Sequence, residues 1–541
     1  MPSGYPLWPF LNGFTRTVDQ GATRTGPGRR LCATRPGVPG GPVATPRHAA
    51  DATRPTGRTL PVEQNGINVI VDDERKGVPR QLFWPWFSAN ISVLGISYGA
   101  FTLAFGISFW QAAIAGVFGV LFSFLLCGFV AVAGKRGSAP TMVLSRAAFG
   151  VRGNRLPSAI SWLLTVGWET VLTITATLAT ATVFERLGAG GGTGTLVVAL
   201  IVVAGLVVGA GVLGFDVIMR VSSVITVVAA VLTVVYLVLV AGTIDLGAVT
   251  ALPSGSTAAV VGAVVFLMTG FGLGWVNVAA DYSRYLPRSS SSRGVVGWTV
   301  FGASVGPVVL LLFGLLLAGS SAELSENIAS DPVGALAAAL PTWFLVPFAL
   351  VAVLGLVGGA VLDIYSSGLA LMATGLQVTR PTAALIDGVI MVLGTVYVVF
   401  VAGDFLVQFQ GFLITLGVPV AAWCGIVLAD ILLRRGDYAE DDLYRPSGRY
   451  GDVQWFPIAV IAVATALGWG LVTNASAEWL TWQGYLLGPI GGREGDWAYA
   501  NLGVLLALVI GFVAAYVESR GRVAAQEVPP AMRLRPGDGS A

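Results

Sequence analysis

Residues 156–184 read LPSAISWLLTVGWETVLTITATLATATVF, an apolar stretch interrupted near its middle by one acid, Glu169, directly after Trp168. As a helix this run is about 43 Å long, enough to cross a bilayer with tilt. The carboxylate then lies at mid-depth, where a charge costs at least about 2.5 kcal/mol on insertion scales, so such an acid is by default a functional-site hypothesis. With an indole beside it, the pair suggests a binding site for a flat, polar, hydrogen-bonding solute.

Working outward, the whole chain has the composition that such a segment needs. Its 541 residues are 55% hydrophobic and 11% charged, with mean hydropathy +0.77, which no soluble domain of this size tolerates on its surface. An all-α, polytopic membrane protein is expected. Cys32, Cys127 and Cys424 are widely separated and form neither a disulfide framework nor a metal cluster. The single histidine, His48, lies outside the apolar core, so a proton relay inside the membrane has to use carboxylates. The metal or nucleophile constellation of a membrane-embedded enzyme is lacking, and no organic cofactor, metal or nucleic-acid partner is expected.

Residues 1–60 are rich in Pro, Gly, Arg and Thr and read as a disordered cytoplasmic tail. Twelve apolar spans follow within residues 61–520, centred near 95, 122, 170, 205, 230, 270, 308, 357, 392, 418, 464 and 509, and residues 521–541 read as a second tail. Of 31 lysines and arginines, only Arg186 and Arg493 fall on the side opposite the tails. By the positive-inside rule both termini are cytoplasmic, in a multi-pass protein of the plasma (inner) membrane. Trp84, Trp86, Trp455, Trp479, Trp482 and Trp497 lie near span ends, where aromatic belts form.

Two spans carry glycine at corresponding places when spans one to five (residues 83–242) and six to ten (256–432) are taken as halves, with two extra helices over 455–520. Span one has Gly95 and Gly99 centrally; span six has Gly270, Gly272 and Gly274. Equivalent broken helices point to an inverted-repeat transporter with its site at the midplane. Close helix packing is the other use of such glycines. Both readings stand on glycine alone, and Glu169 at the same depth favours the first.

Five segments carry a family resemblance: GVPRQLFWPWFSANISVLGIS, then GKRGSAPTMVLSRAAFGVRGNRLP, then Gly167 with Trp168, AADYSRYLP at 279–287, and ITLGVPVAAWCGIVLADILLRR at 414–435. In order and spacing they resemble the nucleobase:cation symporter-1 family, most closely its purine–cytosine permease branch, over residues 62–520. The resemblance implies a leucine-transporter-type fold of five plus five inverted spans with two more, importing a nucleobase or related heterocycle with a proton or sodium ion. It also implies that Trp168 and Phe271, the latter between Gly270 and Gly272, sandwich the ring.

Glu169 then has three readings: acceptor of paired N–H donors from a base edge, proton carrier, or a structural carboxylate. Asp363, in the eighth span, faces the solute cavity, joins the cation pathway or caps the cytoplasmic side. Asn90 and Gly95 of span one complete the expected solute contacts. The family's cation site uses first-span carbonyls and eighth-span hydroxyls. Here Ser92, Gly358, Gly359 and Asp363 are the counterparts, while Ser366 and Ser367 are displaced by about two helical turns, which disfavours sodium. Hydantoin-transporting relatives carry a glutamine one turn after the third-span tryptophan; Leu172 stands there, which disfavours hydantoin or allantoin. Asp281 and Arg284 are spaced to meet across one turn as an inner gate. Gly417 and Pro419 interrupt the tenth span as an outer flex point. A monomer or weak oligomer in the lipid bilayer is expected.

Overall fold

A computed structural model describes residue 63 and residues 65–528, apart from 339, 403–404 and 475–477; side chains at 329–330, 405–410 and 478 lie outside that description. The expectation of a disordered tail over 1–60 therefore falls outside the described residues. No strand occurs among the described residues. Among the described residues, ten helices are long and apolar enough to cross a membrane: Phe109–Gly137, Arg155–Arg186, Thr193–Leu213, Phe215–Thr243, Thr257–Ser283, Ser292–Gly319, Thr342–Ala373, Arg380–Ala402, Gly411–Leu433 and Leu502–Glu527. They are the second to tenth and the twelfth expected spans.

The other two expected spans fall short for physical reasons. The first is broken into Phe83–Asn90 and Leu94–Leu103. The eleventh, Trp455–Trp469, has 15 residues, a rise of about 22 Å against the roughly 30 Å of hydrocarbon. Several helices begin on side-chain caps that occupy orphan backbone donors: Ser108, Ser256, Ser291 and Thr379 each accept from an amide of the first turn.

Both halves break in their first member, as the glycine pattern predicts, but the breaks are built differently. In the first span the helix ends at Asn90 and restarts after Val93, with the Ser92 Oγ accepting from the Leu94 amide at 3.3 Å. Gly95 and Gly99 lie inside the restarted helix. A Cβ on Gly95 would stand 3.1 Å from the Leu310 side chain, and one on Gly99 would lie 2.2 Å from the Gly314 backbone. These two glycines admit the seventh span, which corrects their placement at the break.

The sixth span breaks at Phe271, with φ −117° and ψ −104°, and resumes as the short turns Gly272–Trp275, Val276–Val278 and Ala279–Ser283. The second span satisfies groups that the break exposes. Ser123 Oγ accepts from the Gly272 amide at 3.1 Å, and the Cys127 thiol donates to the Gly272 carbonyl at 2.9 Å. Only glycine fits at 272, since a Cβ would lie 2.1 Å from the Ser123 carbonyl carbon.

The third and eighth spans pack against each other antiparallel. Glu169 lies opposite Ser367, and Leu172 lies opposite Gly359. One end of the bundle carries Arg136, Arg152, Arg155, Arg284, Arg288 and Arg434 and is here termed the basic end. Trp86 is not part of an aromatic belt. It is buried, edge-on to Phe124, Trp275 and Tyr282, because the first span turns it toward the second and sixth. Trp455 and Trp479 are mostly exposed, as belt residues are. The last helix continues to Glu527, past the expected boundary at 520. Gln526 accepts from Arg434, and Glu527 accepts from the amides of Arg435 and Gly436, tying the helix end to the loop after the tenth span.

Candidate functional site

Successive residues on a helix project about 100° apart, and this decides the fate of the central pair. Trp168 points toward the sixth and tenth spans. A Cβ on Gly274 would lie 2.9 Å from its Nε1, and its ring stands edge-on to Phe412 at 6.5 Å and 81°. Gly167 leaves room for the Phe412 ring, which a Cβ there would meet at 2.1 Å. The indole therefore lies three residues beyond Phe271 along the broken segment. Phe271 itself turns to Tyr98, ring centroids 4.6 Å apart, and to Phe124 at 6.4 Å. Gly270 lies under the Tyr98 hydroxyl, which donates to its carbonyl at 3.4 Å.

Glu169 points the other way, into the interface of the third, eighth and ninth spans, and is fully buried. Its Oε2 accepts from Ser367 Oγ at 3.2 Å, and its Oε1 has no hydrogen-bond partner. The same serine reaches Asp387 Oδ2 at 2.8 Å, and Asp387 Oδ1 accepts from Trp162 Nε1 at 2.8 Å. The shared pocket expected for Trp168 and Glu169 is thus corrected to two different sets of neighbours, Gly274 and Phe412 for the indole and Ser367 for the carboxylate, about 100° apart around one helix. Asp387 was missed: it is a third intramembrane acid, seven residues into the ninth span, and its depth alone is the signal that finds it. Asp363 is buried with neither oxygen hydrogen-bonded.

At the first-span break, the glycines of the eighth span meet unwound backbone. A Cβ on Gly355 would lie 2.7 Å from the Ile91 carbonyl oxygen, one on Gly358 would lie 3.2 Å from that of Ser88, and one on Gly359 would lie 3.4 Å from that of Ala89. Carbonyls are present there, and hydroxyls are not contributed by 358 or 359. Ser366 contacts the Tyr282 hydroxyl and Ser367 serves the acids, so neither serine turns to this break. Asn90 closes on its own helix, donating to the Trp86 carbonyl at 2.8 Å.

Asp281 and Arg284 do not pair. Asp281 accepts from the Thr141 amide and hydroxyl at 2.8 and 2.7 Å, and so fixes the loop after the second span. Arg284 donates to the Gly66 carbonyl at 2.9 Å and the Tyr365 hydroxyl at 2.8 Å, and lies 3.8 Å from Glu63. Glu63 is the hub that sequence reasoning overlooked. It also accepts from Tyr285 Oη at 2.7 Å and the Phe215 amide at 2.8 Å, and pairs with Arg380 at 3.4 Å. Beside it lies a cavity of about 330 Å³, lined among others by Asn68, Met372 and Arg380. Pro419 sits inside a continuous helix, and a Cβ on Gly417 would lie 2.9 Å from Thr269 of the sixth span.

Two discontinuous helices packed into a bundle of long apolar ones, with aromatic rings gathered at the breaks, define a membrane transporter fold. Residues 69–488 match the family described as permeases for cytosine/purines, uracil, thiamine and allantoin, and the chain belongs to that family. It is 22% identical over 418 residues to a putative purine-cytosine permease of Bacillus subtilis, covering 75% of this chain and 88% of that one. It is 26% identical over 407 residues to the cytosine permease of Escherichia coli K12, covering 74% and 87%. Among solved structures it is similar in fold to Mhp1, a nucleobase-cation-symport-1 family transporter in a closed conformation with bromovinylhydantoin bound. There the TM-score is 0.63 at 20% identity, with 87% of this chain and 99% of that one covered.

Proposed function

We propose that this chain is a secondary active importer of purines or cytosine-like pyrimidines, coupled to a proton or sodium ion by alternating access. The observation that carries the reading is Trp168 seated at Gly274 of the broken sixth span in a member of a permease family. The base stacks on the indole near Phe271, between Gly270 and Gly272, and bonds backbone of the sixth-span break; stacking of this kind is worth about 1–3 kcal/mol per base. Glu169 lies outside that contact surface. Cation binding favours the substrate-ready state, and differential affinity is what couples the two. Gly358 and Gly359 in place of hydroxyls, with three buried acids nearby, favour the proton. Arg284 with Glu63 closes the inner end, and Gly417 with Pro419 flexes the outer. The chain resides in the plasma (inner) membrane as a monomer or weak oligomer, both termini cytoplasmic.

Uptake of labelled cytosine by expressing cells, competed by a panel of bases, tests this reading. Competition by adenine or hypoxanthine supports it, and loss of uptake with the proton gradient collapsed but not with sodium removed supports the proton. Uptake of thiamine, pyridoxine or allantoin in place of any base would favour the other heterocycles carried by this class. Binding without uptake would make the protein a sensor and defeat the proposal.

A further inference from the structure

We propose that Glu169 and Asp387, bridged by Ser367, form a proton-binding site between the third, eighth and ninth spans, and that its proton is the coupling ion. The inference rests on the cation-coupled reading above and adds to it the site and the ion.

The geometry is one of hydrogen supply. Ser367 Oγ lies 3.2 Å from Glu169 Oε2, 2.8 Å from Asp387 Oδ2 and 3.3 Å from the Ile364 carbonyl oxygen. A hydroxyl has one hydrogen to give. With both acids ionised, the serine satisfies one and turns lone pairs toward the other. One added proton resolves the arrangement: the carboxyl that takes it donates to Ser367 Oγ, and the serine hydrogen goes to the remaining carboxylate. No covalent bond other than O–H forms or breaks.

A separate observation points the same way. Asp363 lies one turn before Ser367 on the same face of the eighth span, 1% exposed, and neither of its oxygens is hydrogen-bonded. Glu169 is opposite Ser367, and Leu172 is opposite Gly359, so Asp363 sits between those levels and within electrostatic reach of Glu169, whose Oε1 is unpartnered.

Among the described residues no cation forms an ion pair with these acids, and the fifth span, packed on the eighth, has Asp216 and Arg220 exposed near its start. The fourth span, packed on the third, carries no titratable side chain over Thr193–Leu213. The sixth brings Tyr282 toward Asp363, the tenth has Asp430 already paired with Arg434, and Arg380 of the ninth is paired with Glu63. Buried carboxylates without a counter-charge are costly, and protonation is the ordinary relief.

The two acids stand on different spans about one hydroxyl, Glu169 at 3.2 Å on the third and Asp387 at 2.8 Å on the ninth, the latter about 10 Å along its helix from Arg380. A proton taken up at Glu169 when the third–eighth interface faces outward leaves through Asp387 when the inner end opens.

Infrared spectroscopy of the purified full chain at neutral pH reads the proton directly. A protonated carboxyl band is expected, lost in Glu169→Gln with Asp387→Asn and kept in Asp281→Asn. No such band, or one untouched by the paired substitution, overturns the site. Should that variant not fold, Ser367→Ala keeps both acids and is expected to shift the band; an unmoved band overturns the bridge. In proteoliposomes without sodium, pH-gradient-driven cytosine accumulation in Glu169→Gln is expected to fall at least about tenfold further than cytosine counterflow does, well within ordinary coupling energies. Equal losses, or accumulation driven by sodium alone in the unaltered protein, would overturn the assignment of the ion while leaving transport intact. If the unaltered protein moves no base, the transport reading fails, and the infrared result still decides the site.

Discussion

Truncating Trp168 to alanine removes the indole face that stands at Gly274 and edge-on to Phe412. If the base stacks there, equilibrium binding of cytosine or a purine to the purified protein should weaken by about 5- to 150-fold, the equivalent of 1–3 kcal/mol. Unchanged affinity would place the base elsewhere. The tryptophan was legible because an aromatic beside an acid at mid-depth is rare in an apolar run. Its separation from Glu169 was not, since hydropathy records how deep a residue lies and says nothing of the direction it faces. That direction emerges only when Ser367 and Phe412, some 200 positions downstream, are brought against different sides of the same helix.

Among the elements, the segment before the first span carries an unforeseen task. From Glu63 to Arg75 it crosses the basic end of the bundle. Glu63 holds Arg284, Arg380, Tyr285 and the Phe215 amide, and Arg75 donates to the carbonyls of Lys135 and Leu286. Removing one partner of a buried ion pair strands the others, typically at about 3–5 kcal/mol. Glu63→Gln should therefore raise amide hydrogen exchange around residues 63–75 and 284–286 by about tenfold or more, while the third and eighth spans keep their protection. Equal protection in both proteins would show that the segment before the first span does not depend on this acid. The broken spans, by contrast, were visible as glycine clusters. Where each break falls was visible only in the sixth span, since Gly95 and Gly99 answer to the seventh span rather than to the unwinding.

For the molecule as a whole, the distribution of arginine and lysine makes the strongest testable statement. Cys127 and Cys424 are buried, so with Cys32 replaced by serine, added thiols report cleanly. An impermeant thiol reagent should label Glu326→Cys in intact cells and leave Ser289→Cys unlabelled until the membrane is opened; the reverse pattern would invert the orientation. The membrane class followed from composition, and the all-helical reading from the length of the apolar runs and the family resemblance. The eleventh span's shortness did not, because hydropathy over residues 455–474 runs on past the point where the helix stops at Trp469.

Gly359 and Leu172 meet where the third and eighth spans pack: a Cβ on the glycine would come within 2.8 Å of the leucine Cδ1. A side chain at 359 would therefore have to share its space with the Leu172 methyl, which can swing aside because it is the free end of its side chain, so the third and eighth spans could readjust here without moving backbone.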